Sequence, residues 1–505
     1  MTKRTTILLG FILIKFLLQY SLISAHYDLQ RDEYLHLDQA NHLAWGYTSV
    51  PPVTSWISCL IQLLGNTEFW IRFFPTLFGA LTIVVVWKTI ETLKGSLFAL
   101  ILGATCVLLS VLLRLNVLYQ PNSLDVLSWT SFYFVLIKFI QTDKPKWLFI
   151  GAIFITIGFL NKYNIVFLLI GLLPAILISE QRKILILKSF YHSILLGLIL
   201  ISPNLWWQYT NHFPVFQHLK ELTDTQLVNV NRWDFLKAQL LYFIGCLFVI
   251  VAALYALLFY EPFKKYRLFF WTMVFTLAVF VYFKAKDYYA IGLYPIYIAF
   301  GCVFLENIFT GSKRYLQPVA IALPIVFFIP MYLYVFPNKS PEYIMAHPKP
   351  YKTLGLLHWE DGKDHDLPQD FADMLGWKEL TNKVDSIYSN IPNPNQTLIL
   401  CDNYGQAGAI NYYTKNKHIQ AVSFNADYLY WFNLDQKIEN VIRVKNAKEK
   451  NNELKETAPF FEIAYLADSI TNPFSRGYGT AIFVFKKAKV DVNERIKKEI
   501  EEEKN

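Results

Sequence analysis

Residues 3–34 read KRTTILLGFILIKFLLQYSLISAHYDLQRDEY, and the change of character inside this stretch decides the kind of fold. Two basic residues, Lys3 and Arg4, precede an apolar run from Thr6 to Ser24, after which charges crowd in from Asp28 onward. A run of that length, wound as a helix, crosses a hydrocarbon layer of about 30 Å. A cleaved leader ending at the small pair Ser24-Ala25 would look similar over this stretch alone. Further apolar runs follow, however, near 73–91, 96–113, 123–140, 147–160, 164–179, 186–203, 237–260, 267–283, 288–305 and 317–336. The expectation is a polytopic α-helical membrane protein with about eleven transmembrane helices, of which 147–160 and 164–179 are the shortest.

Composition says the same. Of 505 residues, 54% are hydrophobic and only 17% charged, and the mean hydropathy is +0.30. A soluble multidomain protein, a disordered chain and a collagen-like repeat are excluded. The net charge of +8 (47 basic against 39 acidic residues) does not argue for nucleic acid, because the cations lie between apolar runs rather than on one polar surface. No close spacing links the five cysteines, so neither a disulfide framework nor a zinc site is implied.

Threading the runs alternately through a bilayer puts Lys3/Arg4, Lys94, Lys144/Lys146, Arg182/Lys183/Lys188, Lys264/Lys265/Arg267 and Lys313/Arg314 on one side. By the positive-inside bias that side is cytoplasmic. The other side then receives residues 25–50, the loops 114–122, 161–163, 204–236 and 284–287, and the polar C-terminal region. The chain divides on this reading into a transmembrane part, 1–336, whose first outer loop is 25–72, then a soluble α/β domain outside the cytoplasm, 337–485, and a charged tail, 486–505, either a solvated helix or disordered.

Within the first outer loop, Tyr34, Leu37, Ala40 and Ala44, and again Trp56, Ile57, Leu60 and Leu64, recur at helical spacing on either side of Pro51-Pro52. Two amphipathic helices lying in the membrane interface are expected, and a third near Phe216 to Leu222. In the C-terminal region Trp377, Leu380, Val384 and Ile387 share a helical face. Strand, helix and strand are expected at 398–400, 404–413 and 419–424, a βαβ unit, with further strands at 461–466 and 480–485.

Ionisable groups are expensive beside a membrane, which makes them the candidates for chemistry. Asp32 and Glu33, in Asp28-Leu29-Gln30-Arg31-Asp32-Glu33-Tyr34, are adjacent carboxylates at a membrane mouth, suited to a general base and its partner. A solvated charged loop that sets topology would use the same residues. Asp125 follows Pro121-Asn122 at the outer entrance of a span, where it serves equally well as a first-turn helix acid. Lys162, Lys284 and Lys286 stand on the side where cations are rare, with Tyr163 and Tyr288 beside them, which a bound anion would explain and snorkelling would also explain. His36 with Asp32 and His42 with Asp38 invite a divalent metal, but i,i+4 pairs lack the converging ligands a metal needs, and none is assigned. Asp402 to Gly408, with two glycines after a strand, has neither GxGxxG nor the Walker pattern.

These segments together resemble the bacterial family-39 glycosyltransferases, relatives of the protein O-mannosyltransferases and lipid A aminoarabinose transferases. The resemblance runs through Asp32-Glu33-Tyr34, His42-Leu43-Ala44-Trp45-Gly46-Tyr47 and Pro51-Pro52-Val53-Thr54-Ser55-Trp56. It continues in Leu160-Asn161-Lys162-Tyr163, Ser202-Pro203-Asn204-Leu205-Trp206-Trp207, Lys284-Ala285-Lys286-Asp287-Tyr288-Tyr289 and Asp402 to Ile410. It implies a GT-C fold in the inner membrane of a bacterium, a site open to the non-cytoplasmic face, a polyprenyl-phosphate-linked sugar as donor and a lipid, glycan or protein as acceptor. By position it implies Asp32 as catalytic base with Glu33 as partner, and Arg31, Lys162, Tyr163, Lys284, Lys286 and Tyr288 as the donor-phosphate and substrate-binding set. Two departures stand out. Gln120-Pro121-Asn122 replaces a frequent Thr-Pro-Asp, leaving Asp125 as the catalytic substitute, and Ser49-Val50 replaces the Glu-Lys pair of the aminoarabinose transferases, so their substrate is not carried over. A transporter or flippase of lipid-linked precursors is the alternative, and it would show related halves or matched broken helices.

Overall fold

In a computed structural model, residues 2–504 are described apart from 226, 228, 229 and 360. Each apolar run becomes helix, because in a bilayer the backbone must satisfy its own polar groups. Among the described residues six helical segments are long and apolar enough to cross a membrane: Glu68–Thr92, Asn122–Thr142, Lys188–Thr210, Glu261–Tyr282, Asp287–Ile308 and Gly311–Tyr334. Two bent pairs raise the number to eight if each is one span. Ile165–Ile178 turns by 107° into Glu180–Ile186, and Arg232–Leu241 turns by 60° into Ile244–Phe259. The protein is thus a multi-pass membrane protein, with the eleven expected spans not confirmed among the described residues. Leu97–Leu108 and Lys146–Asn161 are apolar but short, and Lys3–Tyr20 carries three basic residues, Lys3, Arg4 and Lys15. Lys15 is buried, its ammonium donating to Gln19 Oε1 and Asn116 Oδ1, both at 2.7 Å.

The chain forms two compact units whose bounds differ from those expected. The first holds residues 1–22, 44–57 and 69–336. Its core gathers Trp87, Trp129, Tyr133, Phe269 and Tyr297 with aliphatic residues from most of the helices. Small residues let these helices approach closely, as membrane packing requires. A Cβ on Gly301 would collide with the Val249 carbonyl, and one on Gly171 with Thr276.

The second unit holds residues 23–43, 58–68 and 337–505, so part of the loop after the first helix belongs with the C-terminal domain. Its sheet has strands β1 (Thr397–Cys401), β2 (Ala421–Ser423), β3 (Asn440–Lys445), β4 (Phe461–Ser469) and β5 (Ala481–Ala488), in the order β2-β1-β3-β5-β4. β1 runs parallel to both β2 and β3, while β5 is antiparallel to β3 and β4. The expected βαβ unit is present, with Tyr404–Tyr413 as its helix. β3 was not expected. Only Val441, Ile442 and Val444 are apolar in it, and Arg443 and Lys445 instead pair with the nearly enclosed Asp402. The charged tail begins on β5 and continues as the helix Val492–Lys504, which seats Val492 and Ile496 in the same core as Leu398, Val441 and Phe485.

The expected interfacial helices fare differently. Pro214–Thr225 is a helix that exposes Phe216 and Leu219, and Val53–Leu63 exposes Trp56, Leu60 and Leu63. The helix Arg31–Asp38 does not lie on an interface, because Glu33 through Asp38 are all buried.

Candidate functional site

The sequence candidates gather into two clusters, one in each unit. In the second unit, the helix Arg31–Asp38 is started by a reciprocal cap. The Asp32 N–H donates to Gln30 Oε1 at 2.8 Å, and the Gln30 N–H donates to the Glu33 carboxylate at 2.7 Å. Glu33 is fully buried and serves as the capping acid, not as an accessible second carboxylate. The neighbouring acids are employed in the same way. Asp28 accepts from the Trp377 and Lys378 N–H groups at 3.1 and 3.3 Å and pairs with the Lys378 ammonium at 3.2 Å. Burial raises its pKa, and Lys378 opposes that rise. Asp38 accepts from the Tyr428 hydroxyl at 2.6 Å, from Asn411 at 2.7 Å and from Asn41 at 2.9 Å.

Asp32 differs. Its side chain keeps 34% of its exposure, against 12% for Asp28. Its Oδ1 accepts a 2.6 Å hydrogen bond from the Tyr404 hydroxyl and lies 3.5 Å from Arg31 Nε. Arg31 in turn places its guanidinium 5.3 Å from the centroid of the Tyr404 ring. Burial disfavours the Arg31 charge, but Tyr404, Asp32 and Asp373 outweigh it and hold the guanidinium protonated above its ordinary range. The helix bearing Tyr404 approaches closely because it carries glycines. A Cβ on Gly405 would strike Arg31 Cγ, and one on Gly408 would come within 2.8 Å of Tyr34 Cβ. Those two glycines, which follow a strand without completing a GxGxxG or Walker pattern, are contact points between helices. Tyr404 also follows the carboxyl end of β1, between whose neighbours the strand order reverses, the place where open α/β sheets carry their ligand sites.

In the first unit, Asp125 stands in the first turn of Asn122–Thr142 and is buried. It does not cap that helix. Its Oδ1 accepts from Trp129 Nε1 and its Oδ2 from Asn164 Nδ2, each at 2.9 Å, and Asn164 Nδ2 also reaches the Tyr289 carbonyl at 2.9 Å. Lys162 donates to Asn122 Oδ1 at 2.7 Å, and its ammonium lies 4.3 Å from the Tyr289 ring centroid and 5.2 Å from that of Tyr288. Lys286 lies within electrostatic reach of Lys162. Tyr163 donates to Asn204 at 3.1 Å and accepts from Gln208 at 2.9 Å. Lys284 occupies a positive-φ position after the helix Arg267–Tyr282. Cations and aromatic faces beside a buried carboxylate suit an anionic group with an attached sugar. Asn164, Trp129 and Tyr404 went unmarked in the sequence. Trp129 at i+4 from Asp125 was the readable signal for one of them. Among the described residues no three His, Cys, Asp or Glu converge as metal ligands.

Residues 49–207 match the family model described as dolichyl-phosphate-mannose-protein mannosyltransferase. No curated protein matches the chain in sequence. Among solved structures, ArnT from Cupriavidus metallidurans bound to undecaprenyl phosphate superposes with a TM-score of 0.62 at 12% identity, covering 97% of this chain and 99% of that one. The chain has the ArnT fold. The apo ArnT from the same organism gives 0.61 at 12% identity, over 96% and 98% of the two chains. The resemblance read from the sequence motifs is thus met by a family match confined to 49–207 and by an ArnT-like fold over nearly the whole chain.

Proposed function

We propose that this protein is a membrane glycosyltransferase that moves a sugar from a polyprenyl-phosphate carrier to a hydroxyl of a lipid, glycan or protein acceptor on the non-cytoplasmic face. The observation that carries the reading is Asp32. Among the carboxylates of 28–38 it combines partial exposure with a fixed oxygen, while Asp28, Glu33 and Asp38 brace the fold. The family match over 49–207 and the ArnT fold support the same chemistry, ArnT being a protein solved with undecaprenyl phosphate.

In this mechanism Asp32 takes the proton of the acceptor hydroxyl as its oxygen attacks the anomeric carbon of the donor. The bond from that carbon to the phosphate oxygen breaks, and polyprenyl phosphate leaves with the electron pair. A direct displacement of this kind inverts the anomeric configuration. Within the first unit, Lys162 and Lys286 are the cations proposed to hold the donor phosphate, with Tyr163 and Tyr288 in the same binding set. Asn122 steers Lys162 by accepting one of its hydrogens and adds no negative charge, so the cation keeps its net charge for the donor. Asp125 holds Asn164 and Trp129 in place and acts through them. Glu33 positions Asp32 by starting the helix that presents it.

The test is transfer by purified protein in lipid nanodiscs, with radiolabelled polyprenyl-phosphate sugars and extracted envelope lipids or glycans as acceptors. Labelled acceptor formed in proportion to protein supports the reading. Movement of intact donor across the bilayer without cleavage of its phosphate bond would replace it with the transporter.

A further inference from the structure

Asp32 cannot orient itself. A carboxylate on the first turn of a helix turns about two side-chain bonds, and a base works only when one oxygen faces the proton it removes. In this structure two groups converge on Asp32 Oδ1: the Tyr404 hydroxyl at 2.6 Å and Arg31 Nε at 3.5 Å. Both are themselves held. Tyr404 begins the helix Tyr404–Tyr413, whose cap is the Asn403 side chain accepting from the Gln406 N–H at 3.1 Å. Arg31 lies over the Tyr404 ring and feels Asp373, which a 2.8 Å ion pair ties to Arg476. Gly405, one residue beyond Tyr404, leaves the space through which the Arg31 side chain passes.

We infer that Tyr404 and Arg31 are positioning residues that clamp the Asp32 carboxylate in the orientation needed to take a proton, which makes the helix after β1 part of the catalytic apparatus. The inference rests on the reading of Asp32 as base and adds a role for its neighbour Arg31 and for Tyr404, 372 positions away in the sequence. A hydrogen bond from a hydroxyl to an ionised carboxylate is of the stronger kind, so its removal is visible in turnover. Tyr404 transfers no proton in this account. It fixes which way the carboxylate points.

Gly405 offers an independent handle. Its backbone is helical, so alanine is conformationally acceptable and favoured by helix propensity. The added methyl would nevertheless collide with Arg31 Cγ and lie 3.0 Å from Cδ, displacing the guanidinium without removing any of the named polar groups.

Three variants are compared in the nanodisc transfer assay, with long incubations that count slow turnover: Tyr404→Phe, Gly405→Ala and Asp32→Asn, together with Asp32→Asn/Tyr404→Phe. Tyr404→Phe should lower kcat by about 10- to 100-fold with the donor KM unchanged, the loss expected for a hydrogen bond to a charged group. Gly405→Ala should lower kcat in the same sense with an unchanged or raised melting temperature. Asp32→Asn retains about one part in a hundred to one in ten thousand of the rate. Adding Tyr404→Phe to it should cost nothing more, because the clamp then has no base to orient. Wild-type kcat in Tyr404→Phe, or a loss that multiplies that of Asp32→Asn, would overturn the clamp. If Tyr404→Phe does not fold, Gly405→Ala decides, and wild-type kcat in that variant overturns it. Full activity in Asp32→Asn is a different failure, one that removes the base itself.

Discussion

Asp32 was legible as a candidate from two adjacent acids beside a membrane segment, but the division of labour between it and Glu33 was not. A capping acid and the proposed base have the same side-chain chemistry, and they are told apart by the 2.7 Å bond from the Gln30 N–H to the buried Glu33 and by the partial exposure of Asp32. Lys162 was legible as a cation on the side where cations are rare. Its attachment to Asn122, 40 residues earlier, could not be read from spacing, and neither could Asn164, an uncharged residue whose importance comes from joining Asp125 to the Tyr289 carbonyl. Replacing Lys162 by Gln keeps a hydrogen-bond donor for Asn122 and removes the cation. The donor KM should rise by about 10- to 100-fold, as for a lost charge-assisted contact with phosphate, while the acceptor KM stays put. Titrations of each substrate at saturating levels of the other decide this, and an unmoved donor KM would make Lys162 a snorkelling residue.

The strands of the C-terminal region were visible with one exception, as were the helices Trp377–Ser389 and Tyr404–Tyr413, because their apolar residues cluster or repeat as strands and helices require, as in Leu398-Ile399-Leu400. The exception was β3, where charge pairs replace half of the apolar signal. The helix Arg31–Asp38 was legible as a helix but misplaced at an interface, because burial on its polar side depends on Gly405 and Gly408 in a helix far along the chain. Gly408→Ala tests this packing. An alanine in a helix interior normally stabilises by about 1 kcal/mol over glycine. Here its methyl would meet the Tyr428 hydroxyl at 2.7 Å and Tyr34 Cβ at 2.8 Å, so a net destabilisation of about 1–3 kcal/mol is expected in thermal unfolding. A more stable variant would contradict the close approach.

The same helix carries an acid sensitivity. His36 is buried, and burial depresses its pKa below 6.5, an effect that Asp32 and Gln39 oppose. The folded form therefore keeps His36 neutral where the unfolded chain takes up a proton. This part of the stability is present above about pH 6.5 and is lost as the pH falls below it. The acid slope of the unfolding midpoint between about pH 7 and 5 should be shallower in His36→Gln than in the wild type, and equal slopes would show that His36 contributes nothing to it.

For the whole molecule, the apolar runs were each found as helix, and six of them, or eight with the bent pairs, are long and apolar enough to cross a membrane, so the eleven spans read from hydropathy are not confirmed. The membership of residues 23–43 and 58–68 in the C-terminal unit was beyond reach of composition, since it depends on long-range pairs such as the Asp28 N–H with the Met374 carbonyl. The proposed orientation rests on the loop charges. A phosphatase or fluorescent reporter fused after residue 340 should report a non-cytoplasmic location, because the cations of the intervening loops fall on the opposite side. A cytoplasmic location would put the proposed site on the wrong face.

The most direct measurement of the central claim is transfer of labelled sugar from a polyprenyl-phosphate donor by wild type and Asp32→Asn, at matched folded protein in nanodiscs. Asparagine keeps nearly the volume of aspartate and cannot serve as the base. The account predicts donor binding close to wild type and a transfer rate lower by about a hundredfold to ten-thousandfold. Wild-type transfer by Asp32→Asn would contradict it.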